Sequence, residues 1–296
     1  MSSIFITGSS GFVGVNLKRY LGASKIISEF DREKELNLNA NVVIHLAGKA
    51  HDLKNTSFPN EYYKVNSKLT EKIFDAFLES EAKVFITLSS VKAVVDEVEG
   101  FLTEDHTPNP ITHYGKSKLL AEEYILLQEI PKSKRFYILR PCMIHGPGNK
   151  GNLNLLYNLV SKGLPWPLGA FENKRSLCSI DNLCFIIKEL IEREDIPSGV
   201  YNVADDEALS INELIGLIAQ SQNKSPRVWN ISKSFIKIVA KIGDYLHLPL
   251  NSERLQKLTE SYLVSNAKIK HALGKELPIS AKVGLLKTFK SFSAHA

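Results

Sequence analysis

Cysteine is scarce and carries no pattern. The 296 residues include three, Cys142, Cys178 and Cys184. They show no CxxC spacing and no nearby histidine pair, which argues against both a disulfide framework and a zinc site, so no metal is expected. Reduced thiols suit a cytoplasmic setting. Long apolar runs are missing too. None nears the ~20 residues needed to span a bilayer. The longest candidates, 235–240 and 283–292, are broken by lysines at helical spacing and read as amphipathic helices. The first residues lack the basic, apolar, small-residue order of a secretory signal. Nor is there a marked excess of one charge. The net charge is +5, and the densest basic run, 132–135, follows Pro131 and reads as a solvated loop. With no basic stripe interleaved with aromatics, nucleic acid is not an expected partner. There is no internal repeat and no low-complexity tract.

What remains is ordinary globular composition, 44% apolar and 23% charged, enough to bury a sizeable core. The first half alternates short β-branched runs with helical patterns. Ile4-Phe5-Ile6-Thr7 reads as a buried strand, followed by helical spacing of Val13, Leu17, Tyr20 and Leu21. Further strands are expected at 24–28, 42–46, 84–88 and 136–139, with helices over 65–78 and 114–128. Strands alternating with helices imply a parallel, doubly wound α/β sheet, its strands apolar on both faces. The stretch 31–42 leaves little room for a full helix, so the second βα unit looks abbreviated. After Gly146 the texture changes to Gly- and Pro-punctuated segments. Residues 199–204 read as a late strand returning to the sheet, and Ser210 with Glu213 fits a capping box opening a helix. We therefore expect a doubly wound, Rossmann-type α/β domain over 1–148 and a smaller, mostly helical lobe over 149–296.

Three motifs carry chemistry. Gly8-Ser9-Ser10-Gly11-Phe12-Val13-Gly14 follows strand one and opens helix one. Glycines there let backbone amides approach a pyrophosphate, which the helix N-terminus favours electrostatically. Tyr114 and Lys118 form a YxxxK pair on one helix face. A nearby ammonium favours the phenolate and lowers the pKa of a tyrosine, making it a plausible proton donor or acceptor. Ser89-Ser90 ends the 84–88 strand, where the reactive crevice of a doubly wound sheet lies. The remaining histidines near these motifs, His45, His51, His113 and His145, lack ligand spacing; the bland reading of each is a hydrogen-bonded loop or strand-end histidine. Trp166, between two prolines, reads as a packing anchor.

In this order and on these elements, the motifs resemble the extended short-chain dehydrogenase/reductase superfamily, also called the NAD-dependent epimerase/dehydratase superfamily. The resemblance extends to His45-Leu46-Ala47-Gly48, to Tyr63 and Asn66 as a YxxN helix start, and to Glu104, Pro108 and Pro110 ahead of Tyr114. It includes a turn running from Arg140 and Pro141 to Gly148, with His145 replacing the usual Tyr, and a late Arg175 and Asp181. It implies a catalytic triad of Ser90, Tyr114 and Lys118. Tyr114 would exchange the proton of the sugar oxygen, Ser90 would bind that oxygen, and Lys118 would hold the nicotinamide ribose. It further implies that Gly8, Ser10, Gly11, Phe12, Val13, Gly14, Asp31, Arg32, Leu46, Ala47, Gly48, Asn66 and Pro141, with Tyr114 and Lys118, hold NAD or NADP. For the substrate it points to Ser90, Lys92, His145, Asn152 and Arg175.

Val91 and Lys92 stand where 4,6-dehydratases of the superfamily carry an Asp-Glu pair, which argues against dehydration. Ser89-Ser90-Val91-Lys92, residues 149–153 and residues 163–177 are similar to a narrower group. It holds bacterial 4-keto reductases of UDP-N-acetyl-6-deoxyhexoses and UDP-hexosamine 4-epimerases, which serve surface polysaccharide assembly. The resemblance thus implies C4 chemistry on a nucleotide-diphosphate sugar, with 4-keto reduction favoured, 4-epimerisation the alternative, and a non-catalytic dinucleotide-sensing regulator the reading of another class. Arg175 would pair with the diphosphate. Asp31, accepting from a ribose 2′-hydroxyl, tips the cofactor toward NAD, with Glu29 or Glu33 as other acidic candidates. Relatives often form homodimers through a helix pair that would include 114–128.

Overall fold

The computed structural model describes residues 3–22, 26–29, 38–49, 58–149, 151–246 and 251–293. Asp31, Arg32, Glu33 and His51 lie outside the described residues, as does the expected abbreviation of the second βα unit.

In chain order the elements are β1 (Ile4–Thr7), α1 (Phe12–Leu21), β2 (Ile26–Glu29), β3 (Val42–His45), α2 (Pro59–Tyr62), a π-helical stretch Tyr63–Lys68, α3 (Leu69–Glu79) and β4 (Val84–Leu88). A 3₁₀ turn Val91–Ala93 leads to β5 (Phe101–Leu102), α4 (His113–Leu126), β6 (Arg135–Pro141), β7 (Met143–His145), α5 (Asn152–Ser161), β8 (Leu177–Ser179) and α6 (Ile180–Glu192). Then come β9 (Gly199–Val203), α7 (Ile211–Ser221), α8 (Lys233–Leu246), α9 (Ser252–Thr259), β10 (Leu263–Val264), α10 (Ala267–Leu273) and α11 (Ala281–Ser293).

The central sheet has the order β2-β1-β3-β4-β6-β9, and every pairing in it is parallel. Two-residue periodicity explains why it is buried on both sides. Ile4, Ile6, Val42, Ile44, Val84, Ile86, Tyr137 and Leu139 point into one core, which takes Leu17 and Leu21 of α1 and the Leu183, Ile186, Ile187 and Leu190 face of α6. Phe5, Val43, Phe85 and Ile138 point into the other, against Ile73, Phe74 and Phe77 of α3 and Ile125 of α4. Tyr20 breaks the expected apolar stripe of α1 and stands outward. The chain leaves β1 for β2 on one side and crosses to β3 on the other. The order of strands therefore reverses beside the carboxyl end of β1, where an open α/β sheet forms its binding crevice.

A third apolar cluster gathers Leu153, Tyr157, Trp166, Leu168, Leu214, Ile218, Ile236, Ala240, Leu285 and Phe289 from α5, α7, α8, α11 and the loop after α5. Trp166 is buried there and bridges Val228, as a packing anchor should. The capping box of Ser210 and Glu213 opens α7. Two small parallel pairs, β5 with β10 and β7 with β8, escape detection in the sequence. Strands of two or three residues have no room to show a period.

Candidate active site

The glycine turn is built by close backbone approach. Gly8 holds φ +70°, and a Cβ there would lie 2.6 Å from the Ala47 nitrogen. A Cβ on Gly14 would lie 2.4 Å from the Gly8 carbonyl oxygen. The turn after β1 and the loop after β3 thus touch at the switch point, and only hydrogen fits between them. Gly11 caps α1 without a side-chain hydrogen bond, and no acidic residue occupies the first turn. The helix end is left suited to an anion, as a dinucleotide pyrophosphate requires. Ser10 and Gly11 are exposed on this turn, and Phe12 and Val13 are partly buried at the start of α1.

The triad residues converge next to this turn. Thr112 caps α4 through Gly115, one residue after Tyr114, which fixes the first turn of that helix. Gly115 lets the helix seat on the 3₁₀ turn, since a Cβ would meet the Lys92 carbonyl oxygen at 2.3 Å. The seat brings the Tyr114 hydroxyl to a hydrogen bond with Ser90, whose Oγ also accepts from the Lys92 amide at 3.2 Å. Lys118, one turn on, is buried and donates to the Leu88 carbonyl at 2.8 Å. Gly48 faces it, for a Cβ there would be 3.1 Å from Lys118 Nζ and 3.2 Å from Asn66 Oδ1.

The electrostatics differ from the expectation that the Lys118 ammonium lowers the Tyr114 pKa. Burial is the largest influence on the phenol and raises its pKa, while the Ser90 hydrogen bond pulls it back. Burial also pushes Lys118 down to about 8, against the opposing pull of Glu122. The chain's own groups therefore leave the phenol protonated at neutral pH.

Two supporting networks went unnoticed in the sequence. In one, Thr70 donates to the Asn66 carbonyl at 2.7 Å, so its oxygen is free to accept from His45 Nε2 at 3.0 Å. His45 Nδ1 then accepts from Thr7 at 2.7 Å, and Thr7 in turn accepts from the Ala47 amide at 3.1 Å. The wiring requires a neutral Nε2–H imidazole, and burial does push His45 down to about 3, with Lys118 adding to the effect. This chain ties β1, β3, the 46–49 loop and the π-helical stretch together. Asn66 completes the tie, its Oδ1 accepting from the Lys49 amide at 2.7 Å and its Nδ2 donating to Ser117 at 3.0 Å. π-Helical stretches in α-helices frequently mark functional positions. In the other network Arg140 Nε reaches both Glu122 oxygens at 3.0 Å and Ser89 donates to the same carboxylate, all beneath Lys118. Glu122 lies four residues beyond Lys118, a helical spacing that could have flagged it.

The substrate candidates are placed less uniformly. Ser90 lies against Tyr114, to which it is hydrogen-bonded. Lys92 donates to the Asp96 carbonyl at 2.6 Å and lies 4.2 Å above the Tyr262 ring, so its ammonium is already engaged. Arg175 is half-buried, held by the carbonyls of Lys257 and Glu260, and close enough to Lys92 to help lower its pKa, though burial dominates that shift. Asn152 is exposed at the start of α5. His145 is corrected. Instead of reaching substrate it is fully buried, with Nδ1 at 2.9 Å from Thr288 Oγ1 and Nε2 at 3.4 Å from Asp205. Pro141 ends β6 in the core, paired with Val203. His113 is exposed and meets the Tyr63 hydroxyl at 3.0 Å. All three cysteines are free and buried, and among the described residues no cluster of His, Cys, Asp and Glu could hold a metal.

A Rossmann sheet with a glycine turn at its switch point and a Ser-Tyr-Lys constellation at the ends of β4 and α4 defines a nicotinamide-dependent enzyme of the short-chain dehydrogenase/reductase type. The NAD dependent epimerase/dehydratase family model matches residues 4–204, and the chain belongs to that family. It is 30% identical to UDP-glucose 4-epimerase of Vibrio cholerae, over 98% of this chain and 95% of the relative. It is 27% identical to N-acetyl-alpha-D-glucosaminyl-diphospho-ditrans,octacis-undecaprenol 4-epimerase of Escherichia coli O157:H7, over 99% of this chain and 96% of the relative. The structure of MoeE5 in complex with UDP-glucose and NAD superposes with a TM-score of 0.76 at 19% identity, covering 99% of both chains. The cofactor is NAD or NADP.

Proposed function

We propose that this enzyme reduces the C4 ketone of a UDP-linked N-acetyl-6-deoxyhexosulose, in surface polysaccharide assembly. One observation supports a proton transfer at C4: the buried Tyr114 hydroxyl is hydrogen-bonded to Ser90 beside the Lys118 and Gly48 wall of the crevice, with burial raising its pKa. Reduction needs a proton donor at the ketone oxygen, and a positioned phenol can supply it. The glycine turn Gly8–Gly14, with Lys118, would hold a nicotinamide dinucleotide, which when bound in its reduced form would supply the hydride. Tyr114 gives its proton to the oxygen that becomes the hydroxyl. Ser90 orients that oxygen and helps to hold its developing charge. Lys118, nearly enclosed and facing Gly48, would hold the nicotinamide ribose. Arg175, beside Lys92, is the guanidinium that would pair with the diphosphate, exchanging the Lys257 and Glu260 carbonyls that hold it for phosphate oxygens.

A second reading, 4-epimerisation of a UDP-hexosamine, has its own support in the full-length similarity to two 4-epimerases. Product analysis separates the two. Reduction predicts stoichiometric loss of NADH or NADPH with the UDP-4-keto sugar. Epimerisation predicts interconversion of UDP-N-acetylglucosamine and UDP-N-acetylgalactosamine with no net change in cofactor. Tyr114→Phe should lower either turnover by about 10²-fold or more while dinucleotide binding, followed by fluorescence, persists. Unchanged turnover would remove Tyr114 from the chemistry, whereas a wild-type protein that binds dinucleotide and turns over neither sugar would favour the dinucleotide-sensing reading.

A further inference from the structure

Helix α8 has three faces. Ile236, Ala240 and Gly243 are buried, the first two in the apolar cluster of this half of the molecule. Lys233, Lys237 and Lys241 repeat every four residues along a second, exposed face. Phe235, Ile238, Ile242 and Tyr245, spaced three, four and three apart, form the third, and each is half exposed or more, Tyr245 to 85%. Leu246 extends this stripe, and Trp229, 57% exposed, stands just ahead of the helix. A stripe of large apolar side chains open to water beside a row of lysines is the pattern of a helix that lies in a lipid interface.

We propose that α8 docks on the surface of an anionic bilayer, its apolar stripe entering the headgroup boundary and its lysines meeting lipid phosphates. Charge complementarity selects this occupant. The single acid of α8, Asp244, is occupied by α9, accepting from the Ser252 amide at 2.8 Å and from the Ser252 hydroxyl. A second copy pairing α8 on α8 would therefore set three lysines opposite no free carboxylate of that helix. An anionic leaflet satisfies the lysines and the apolar stripe at once, at about 1 kcal/mol or fivefold in partition per lysine. The mode is peripheral, since no helix among the described residues is long and apolar enough to cross a membrane. Helix α8 rests on α9, which leaves the apolar stripe and the lysine row outward.

Flotation of the intact protein with phosphatidylcholine vesicles, with and without an equal part of phosphatidylglycerol, tests this. The protein should float with the anionic vesicles at low salt and be released by high salt. The double variant Phe235→Ser with Ile242→Ser, and separately Lys237→Gln with Lys241→Gln, should each lower the bound fraction about tenfold or more. Turnover on a soluble nucleotide sugar and the elution volume on gel filtration should stay unchanged. Failure to float with anionic vesicles at low salt overturns the proposal. So does flotation that both variants leave intact. A wild-type dimer that the apolar variant converts to monomer would assign the face to a second copy instead.

Discussion

Glu122 shows how much one buried carboxylate can organise. It accepts from Arg140 and Ser89, both almost fully buried, and it opposes the desolvation that depresses Lys118. Glu122→Gln keeps the shape and removes the charge. Arg140 would be left buried without a counter-ion, for which we expect a loss of about 3–5 kcal/mol of stability in urea denaturation. Lys118 would also lose the charge that raises its pKa, so less of it would be protonated at neutral pH. Turnover should then fall even where the variant is fully folded. A variant within about 0.5 kcal/mol of wild type would show that the pair contributes nothing net. At this scale the sequence was informative where chemistry and position coincide. Tyr114, Lys118 and Ser90 could be picked out because a phenol, an amine and a hydroxyl each sat at an element end. Glu122 was passed over because its partner, Arg140, is 18 residues away in sequence, and only the sheet brings them together.

Elements are joined here by a proton-ordered chain of hydrogen bonds. Thr7 at the end of β1, His45 at the end of β3, and Thr70 and Asn66 in the long helix hold the loops around the cofactor crevice. The chain works only with neutral His45. Its pKa is about 3 in the folded protein against 6.5 for an ordinary histidine. Between those values the unfolded chain binds a proton that the folded chain refuses, so stability falls as pH drops from 6.5 toward 3 and is fully present above 6.5. His45→Gln should flatten that dependence. Thermal midpoints measured from pH 7 down to pH 4 should fall more steeply for wild type than for the variant, and parallel curves would reject the role. The element pattern itself was readable wherever side chains alternated across a two-sided sheet, as in Ile4-Phe5-Ile6. The π-helical stretch Tyr63–Lys68 was not readable, since its extra residue per turn leaves the apolar spacing almost unchanged. Nor was the reason for Gly8, whose clash partner Ala47 lies a strand pair away.

Across the whole molecule, the join between the sheet and the helices that follow it depends on a buried carboxylate at the end of β9. Asp205 is almost fully buried and accepts from the Ser179 amide at 2.9 Å and from Asn182 Nδ2 at 2.7 Å. His145 connects it to Thr288 on α11, and Asn182 reaches the Ile279 carbonyl just ahead of that helix. One side chain therefore fixes β8, the start of α6 and the C-terminal helix against the sheet. This also explains why His145 misled the sequence reading. A histidine in the place of a family tyrosine looks like a substrate contact, yet residues 145 and 288 are far apart in sequence, and no local pattern shows that they meet. Asp205→Ala would leave the Ser179 amide and the Asn182 carboxamide short of a buried acceptor. Charged hydrogen bonds of this kind are each worth about 1.5–3 kcal/mol, so a loss of about 3 kcal/mol or more is expected. Thr288→Val removes one link of the network and should weaken the fold by about 1 kcal/mol. If the links act as a unit, the double variant should lose less than the sum of the two single losses. Urea denaturation of the four proteins measures this directly, and strict additivity would show that Asp205 and α11 are fixed independently.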